Sequence, residues 1–320
     1  MAGKVTEFPS VSRASPAVVF VNPAAGGGRA IAYLARLREL LAARSFPAEF
    51  MVTGTSEELA VRAREAIASG RRLLLSLGGD GTFQGLANAA FGFDVVLGVL
   101  PAGGGNDLAH ALGLPRNMEA AVEAVLDGQP KCVDLLRART ADGTERLYAG
   151  GGGVGLDAEA MRYASGAYRR IPGRFRYIAA ALRSLWGFTP LEVRAEFAGS
   201  DLPSLQAKAL LAGVLNTPTY GGGLKLAPQA QFDDGWLDVV IVENLNAWEV
   251  LGVLPALVKS GELRTRRVQR CRARRVRLTT SRPCMFHGDG EILGPTPVEI
   301  EVVPRAVRIL APVAGRIVAR

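Results

Sequence analysis

The sequence predicts an α/β N-terminal domain with a doubly wound, mostly parallel sheet and a second, mostly antiparallel β-sandwich-like domain. Up to about Lys131, an apolar strand, a glycine loop and a helical pattern follow one another four times, which is typical of a parallel sheet. Beyond that point β-like segments dominate, with one helical interruption from about Tyr177 to Trp186. We expect domains at 1–135 and 136–304, with 305–320 either continuing the second domain or returning to the first.

Short apolar runs predict the strands of the first half: Ala17–Val21, Phe50–Thr53, Leu73–Leu77 and Val95–Leu100. Ser56, followed by Glu57 and Glu58, predicts the start of a helix, and another helix is expected from about Phe83 to Ala90. In the second half the β-like runs are Leu191–Phe197, Ala207–Leu215, Leu237–Val242, Val276–Thr280 and Val298–Val303. A further apolar strand, Arg305–Leu310, fits either half.

The composition narrows the class of partner. The 320 residues carry a net charge of +8, which favours an anionic partner such as nucleotide phosphates, acidic lipid headgroups or nucleic acid. Three cysteines without a CxxC pair argue against a disulfide framework or a zinc site and are typical of a reducing cytoplasm. The sequence has no signal peptide and no run of 18 apolar residues, so any membrane contact is expected to be peripheral.

Three glycine-rich loops follow predicted parallel strands: Asn22–Arg29, Gly78–Thr82 and Pro101–Asp107. Such loops lie at the carboxyl edge of a sheet, where backbone N–H groups at helix N-termini can bind phosphate. In the second loop Thr82 offers a hydroxyl, and Asp80 places a carboxylate where a magnesium ion bridging phosphates would need one. Taken alone, this loop also fits a simple strand-to-helix turn with Asp80 as a cap.

The only GxGxxG match consists of Gly150, Gly152 and Gly155. It lies where the sheet character has changed, and no acidic residue follows at the distance that a dinucleotide site requires. We therefore interpret these glycines as a tight turn or as close packing between strands.

Five segments together resemble one protein family. LLLSLGGDGTFQGLANA resembles the GGDGT motif that diacylglycerol, sphingosine and ceramide kinases share with NAD kinases and phosphofructokinases. The other four segments, in chain order around it, are VFVNPAAGGGRA, GVLPAGGGNDLAHALGLP, NTPTYGGGLKLAPQAQFDDGWLDVVIV and FHGDGEIL. In this order, over Val18 to Leu310, they resemble the bacterial soluble diacylglycerol-kinase-like lipid kinases.

The resemblance implies an ATP-dependent lipid kinase that uses Mg²⁺ and transfers the γ-phosphate to a lipid hydroxyl. The leading acceptor is diacylglycerol, which would give phosphatidic acid. Residues 1–135 would then bind the nucleotide and residues 136–304 the lipid. By the same resemblance Glu291 is the general base, and Asp80, Asp107 and Asp134 surround the phosphate and the catalytic magnesium.

The resemblance also implies nucleotide contacts and a second metal position. The expected nucleotide contacts are Asn22, Pro23, Ala24, Ala25, Gly26, Thr53, Gly78, Gly79, Asp80, Gly81, Thr82 and Gly104. The second magnesium would be held by the Asp234 carboxylate and the carbonyls of Gln231 and Trp236, although the same residues fit an ordinary Asp-Gly turn. Asp107 fits a helix N-cap equally well, and Asp134 fits a partner of an arginine. The sequence departs from the family pattern at Gly104, Gln84–Gly85 and His110, which bears on the hydrogen bonds to the nucleotide and not on the fold.

Two basic segments extend the prediction to partners. One runs from Tyr168 through Arg176 into the helical stretch 177–188 and has the composition of an interfacial helix, or of a core helix with a solvated flank. The other spans Arg264 to Arg277 and fits a solvated strand edge or an anionic membrane; nucleic acid is not expected. We predict a cytoplasmic protein that meets its lipid at an anionic membrane surface, and we leave a homodimer open. The alternatives are an NAD kinase and a pseudo-kinase that binds nucleotide or lipid.

Overall fold

The structure is a computed structural model that describes residues 15–156, 160, 163, 167–168, 171, 174–185, 188–199, 201–261 and 267–313. Its first half contains a parallel sheet in the order β2–β1–β3–β4. These strands span Ala17–Val21 (β1), Ala48–Val52 (β2), Leu73–Gly78 (β3) and Val96–Pro101 (β4). Every residue of β1 and β3 is buried, as expected for central strands covered on both faces.

Helices follow these strands and cover the sheet. They span Arg29–Ala43 (α1), Ser56–Ala68 (α2), Asp80–Ala90 (α3), Asp107–Ala111 (α4) and Met118–Leu126 (α5). Helix α2 begins at Ser56, but its cap is Thr55, whose side chain accepts the N–H of Glu58. Helix α3 begins earlier than the predicted Phe83, because the carbonyl of Gly79 already accepts the N–H groups of Thr82 and Phe83. Three of the five residues of the predicted loop Gly78–Thr82 therefore belong to the first turn of a helix.

The second half is mostly antiparallel, so the predicted fold class is confirmed. Its strands are Gln129–Arg139 (β5), Glu145–Tyr148 (β6), Gly151–Gly155 (β7), Leu191–Phe197 (β8), Leu205–Leu215 (β9), Leu237–Glu243 (β10), Val268–Ala273 (β11), Arg275–Thr280 (β12), Met285–Gly288 (β13), Glu291–Pro295 (β14) and Val298–Ala311 (β15). The helices whose bounds the described residues give in this half are Arg174–Leu185 (α6) and Ala247–Lys259 (α7). None of the helices in the described part of the chain is long and apolar enough to cross a membrane.

Strand β15 joins the two halves. The sequence predicts two separate strands here, but the structure has one, which pairs with β12 near Glu301 and then, at Arg308 and Ile309, runs parallel to β4. The change of partner coincides with a register shift between Val303 and Val307. Arg305 lies within this shift and has a left-handed φ of 52°, and its N–H donates to Asp134 Oδ1 at 2.7 Å. Because β5 runs across residue 135, no element ends at the predicted domain junction, which stays a prediction.

Two of the three glycines of the GxGxxG match, Gly152 and Gly155, lie against neighbouring backbone, whereas Gly150 lies against the side chain of Asp289. A Cβ on Gly152 would lie 2.3 Å from the carbonyl oxygen of His287, and one on Gly155 would lie 2.3 Å from that of Leu210. Both contacts join neighbouring strands of the antiparallel sheet. The close-packing interpretation of this motif is confirmed.

Candidate active site

The three predicted glycine loops meet at the carboxyl edge of the parallel sheet; we call them the loop cluster (Asn22–Arg29, Gly78–Thr82 and Pro101–Asp107). The first loop is joined to the second by a hydrogen bond from Asn22 Nδ2 to Thr82 Oγ1 at 3.1 Å. It is joined to the third by Arg29, whose Nη2 donates to the carbonyl oxygen of Gly103 at 2.7 Å. Side chains from distant parts of the sequence thus fix the loops against one another.

Glycine is required in the loop cluster because the backbones approach so closely. A Cβ on Gly26, where φ is +63°, would lie 2.0 Å from the carbonyl oxygen of Ala102. A Cβ on Gly103 would lie 2.4 Å from the Cα of Gly79. Neither neighbour is a flexible side chain that could turn away, so a larger residue would push the loops apart.

Two of the predicted acids lie together beside these loops. Asp80 Oδ2 accepts the N–H of Asn106 at 2.6 Å, and Asn106 has a left-handed φ of 60° at the N-cap of α4. Asp107 is the first residue of α4 and not its cap; its Oδ2 accepts the N–H of Gly222 at 3.0 Å. Asp107 Oδ1 is buried and has no hydrogen-bond partner in the described part of the chain, so this oxygen is available to a ligand.

A third carboxylate, that of Asp289, was not among the predicted site residues. Its oxygens accept the N–H groups of Ala149, Gly150 and Gly151 at 2.7 to 3.2 Å, and its own φ is 50°. These bonds fix the turn that follows β13. The DGE triplet was the signal for it, but sequence reasoning assigned a role to the glutamate of that triplet alone.

The crowding of carboxylates is visible in their pKa values. Burial raises the pKa of Asp80 to about 8, and repulsion by Asp107 and Asp289 adds to the shift. Burial also raises the pKa of Asp289 to about 6, although its three backbone N–H donors oppose the shift. Negative charge at this site is therefore costly until a cation arrives.

Glu291, the predicted general base, lies over the start of helix α3. A Cβ on Gly81 would lie 2.7 Å from Glu291 Oε1, so the second glycine loop leaves the space that this carboxylate occupies. The residue is exposed overall, but partial burial and then the nearby Glu57 raise the pKa of its carboxyl. Gln84 Nε2 on α3 donates to the carbonyl oxygen of Gly288 at 3.1 Å and ties the same turn to the helix.

An apolar cavity of about 200 Å³ opens beside the loop cluster. Asp80, Asp107 and Asp289 line it where it meets the loops. Away from them the lining is mostly hydrocarbon, contributed among others by Leu182 of α6, Leu210 of β9, and Val250, Val253 and Leu257 of α7. One cavity therefore presents carboxylates to one part of a ligand and apolar side chains to the rest.

A Tyr–His pair, which the sequence did not single out, also lines the cavity. Tyr220 Oη and His287 Nε2 are 2.8 Å apart, and the two rings stack with their centroids at 6.0 Å. His287 is buried and lies two residues before Asp289. The pair adds hydrogen-bonding capacity to a wall that is otherwise apolar.

The other predicted nucleotide contacts lie in or beside the loop cluster and stay predictions. Thr53 follows β2 and is 3% exposed; its Oγ1 has no hydrogen-bond partner among the described residues. Asn22 Oδ1 accepts the N–H of Ala24 at 3.0 Å, which shapes the first loop around Pro23. Gly104 lies in the third loop and is half-buried.

The predicted second metal position is a turn whose carboxylate, that of Asp234, already has partners. Asp234 Oδ1 accepts the N–H of Trp236 at 3.0 Å, and its other oxygen is bonded to the Arg272 guanidinium. Asp134, predicted beside the catalytic magnesium, accepts one backbone N–H on each carboxylate oxygen, from Gly235 and Arg305, and no arginine side chain of the described residues; its role at a metal stays a prediction. Arg272 would have to move before a magnesium ion could bind Asp234. The position, including the exposed Gln231, stays a prediction.

The structure describes the two predicted basic segments to different extents. The first, from Tyr168 to Phe188, lies partly outside the described residues. The described part of the second consists mostly of paired arginines: Arg275 bonds to Glu301, Arg277 lies 3.4 Å from Glu299, and Arg274 lies 5.0 Å from the centre of the Trp236 ring. These contacts favour the interpretation as a solvated, internally paired face.

Comparisons with known proteins match both halves of the chain. Residues 16–138 match the model of the diacylglycerol kinase catalytic domain, and residues 152–311 match that of the YegS C-terminal NAD kinase beta sandwich-like domain. A diacylglycerol kinase of Mycobacterium tuberculosis is 31% identical over 299 residues, which is 92% of this chain and 94% of that protein. A diacylglycerol kinase of Bacillus subtilis is 26% identical over 297 residues, 92% of this chain and 95% of that protein. The crystal structure of a diacylglycerol kinase from Bacillus anthracis has the same fold, with a TM-score of 0.71 at 21% identity over 93% of this chain and 97% of that one.

The chain combines a parallel α/β region with an antiparallel, β-sandwich-like region, and its glycine loops and carboxylates adjoin an apolar cavity. The chain belongs to the family of diacylglycerol kinases and YegS-like lipid kinases, as the five motifs predicted. The diacylglycerol kinase catalytic domain implies the use of ATP.

Proposed function

We propose that this chain transfers the γ-phosphate of ATP to the hydroxyl of a lipid, with diacylglycerol as acceptor and phosphatidic acid as product. The apolar cavity carries this proposal. Its hydrocarbon walls suit acyl chains, and the carboxylates at the loop cluster suit the hydroxyl end of the same molecule. A soluble dinucleotide acceptor would gain little from walls formed by Leu210, Val253 and Leu257.

Glu291 is proposed as the general base. An alcohol is a poor nucleophile until its proton has an acceptor, and a carboxylate with a raised pKa accepts a proton more readily at neutral pH. The lipid oxygen attacks the γ-phosphorus, its proton passes to the Glu291 carboxylate, and the bond from the γ-phosphorus to the bridging oxygen breaks, which releases ADP. The position of Glu291 over Gly81 supports this role, since it lies beside the loop expected to hold the phosphates.

Asp80 and Asp107 fit a catalytic magnesium ion. Mg²⁺ is usually held by one or two carboxylates together with substrate phosphates and water. Asp107 has a buried oxygen without a partner among the described residues, and burial, with repulsion by Asp107 and Asp289, raises the pKa of Asp80. No three His, Cys, Asp or Glu side chains in the described ranges lie close enough to hold a metal by themselves, so the nucleotide would supply the remaining ligands. Bound there, the ion would neutralise charge on the phosphates.

Labelled ATP tests the proposal directly. Purified protein is incubated with ATP, Mg²⁺ and a panel of diacylglycerol, phosphatidylglycerol, sphingosine and ceramide, with NAD in a parallel reaction. We expect label in the lipid fraction, strongest with diacylglycerol. Label in NAD and in no lipid would establish the NAD kinase alternative. ATP binding without any labelled product would establish the pseudo-kinase alternative.

A further inference from the structure

Helix α7 (Ala247–Lys259) is apolar on two opposite faces. Its inner face contributes Val250, Val253 and Leu257 to the apolar cavity. Because helix positions separated by three, four or seven residues share a face, Trp248, Leu251 and Pro255 lie on the other side. Trp248 is 82% exposed, which is unusual for a tryptophan, the residue type with the largest side chain. A helix that is apolar all round is normally buried in protein or in lipid.

The charge around α7 identifies what covers its outer face. Lys259 is exposed in the last turn, and Lys225 Nζ donates to the carbonyl oxygen of Lys259 at 2.8 Å. Arg270 donates to the carbonyl oxygens of Leu226 and Gly261 at the same end of the helix. Carbonyl groups carry no net charge, and no carboxylate of the described residues forms an ion pair with Lys225, Lys259 or Arg270. Trp, Leu and Lys in this arrangement are typical of a helix that lies in the interface of an anionic bilayer.

We propose that the outer face of α7, defined by Trp248, Leu251 and Pro255, is the membrane-docking surface of this protein and binds the outer layer of an anionic bilayer. The bilayer would then lie on one side of α7, and the acyl chains proposed to fill the cavity would lie on the other side. A lipid leaving the bilayer beside α7 would have only one helix thickness of apolar protein between the membrane and the acyl site. The proposed function supplies the reason for such a surface, but the surface can be tested without catalysis.

Vesicle binding without substrate tests the surface. Sedimentation with vesicles of phosphatidylglycerol and phosphatidylcholine, free of diacylglycerol and ATP, is measured for the wild type and for the double variant Trp248→Ala, Leu251→Ala. We expect the double variant to lose about tenfold or more in vesicle affinity, because two apolar side chains no longer enter the interface. Trp248→Phe should retain most of the affinity. Phe93→Ala, which removes an apolar side chain that is 53% exposed on the N-terminal half, is the matched control and should bind as the wild type does.

Four measurements distinguish docking of α7 on the bilayer from its alternatives: tryptophan quenching, vesicle affinity, sedimentation velocity and lipid phosphorylation. Brominated phosphatidylcholine should quench the Trp emission of the wild type, and Trp248→Phe should remove that quenching. Equal vesicle affinity of the double variant and the wild type would overturn the proposal. Sedimentation velocity without lipid tests for a different occupant of this face. A dimeric wild type and a monomeric double variant would overturn the proposal, because a second copy of this chain would then cover α7. A protein that binds vesicles through α7 but phosphorylates no lipid would contradict the proposed function and leave the docking surface intact.

Discussion

The loop cluster and the apolar cavity adjoin each other, but the first is formed by closely packed backbone and the second by side chains. In the loop cluster backbone meets backbone, and added Cβ atoms at Gly26 and Gly103 would lie 2.0 and 2.4 Å from backbone atoms. In the cavity, apolar side chains from several helices, strands and loops surround a common space, and some of them also pack against one another. We therefore expect the first region to fit one kind of ligand, a phosphate chain, and the second to accept hydrocarbon of varied length by shifting side chains.

The two regions meet at the turn after β13. Asp289 anchors this turn to Gly151 on the cavity side, and Gln84 anchors it to helix α3 on the loop side. Glu291 follows directly and reaches Gly81. Changes in either region should therefore affect one substrate, and changes in the turn should affect transfer between them.

The largest effect is expected from Glu291→Gln, which removes the proposed base but keeps the size of the side chain. Turnover should fall by about 10² to 10⁴ because the lipid hydroxyl loses its proton acceptor. ATP binding, measured by calorimetry, should stay within about twofold of the wild type, since binding does not require the proton transfer. Unchanged turnover would remove Glu291 from the mechanism.

A substitution in the cavity should separate the two substrates. Val253→Trp fills space between α7 and the cavity, so the KM for diacylglycerol should rise by about tenfold or more while ATP affinity is unchanged. Val61→Trp on α2, at a position that is 54% exposed, is the control for adding an indole without filling the cavity. An equal loss of ATP affinity in Val253→Trp would show that the two regions do not bind independently.

The same contrast explains what the sequence could and could not predict. The loops were predictable because glycine, Asp80 and Thr82 are specified within a few residues of one strand end. The link from Gln84 to Gly288 spans 204 positions, and the sequence suggested only that Gln84 departs from a family pattern. The cavity was not predictable residue by residue, because Leu210 and Val253 are ordinary core residues until the sheet and α7 place them around one space. The single strand β15 was missed for a related reason, since its bend at Arg305 depends on Asp134, a partner far away in the chain.

A substitution at Gln84 tests how the turn after β13 connects the loop cluster to the apolar cavity. Gln84→Leu should lower turnover by about threefold to tenfold with little change in either KM, because the turn that carries Glu291 loses one hydrogen bond to α3. Asn88→Leu is the matched control. Asn88 lies on the same helix and bonds to both the N–H and the carbonyl of Leu147, so its loss should cost at least as much stability but less turnover. A parallel fall of turnover and melting temperature in both variants would assign Gln84 a purely structural role.

A further effect, on stability and not on turnover, concerns the charge that the loop cluster holds before any cation binds. The pKa of Asp80 is about 8 in the folded protein, far above the value of an unfolded aspartate, because of burial and the neighbouring Asp107 and Asp289. Between about pH 4 and pH 8 the folded state therefore binds more protons than the unfolded state, and the free energy of unfolding must fall as the pH rises. Asp80→Asn should remove this component, so the difference between the two proteins should slope with pH by at most about 1.4 kcal/mol per pH unit, since a single carboxyl group changes the number of bound protons by at most one. Urea unfolding at intervals from pH 5 to pH 9 measures this slope, and parallel curves for the two proteins would contradict the raised pKa of Asp80.

Bound Mg²⁺ and nucleotide should weaken this pH dependence. Mg²⁺ with a non-hydrolysable ATP analogue should flatten the wild-type curve toward that of Asp80→Asn, because the bound cation lets Asp80 ionise without repulsion. The apolar cavity holds no such uncompensated charge away from the loop cluster, so Val253→Trp should leave the slope unchanged.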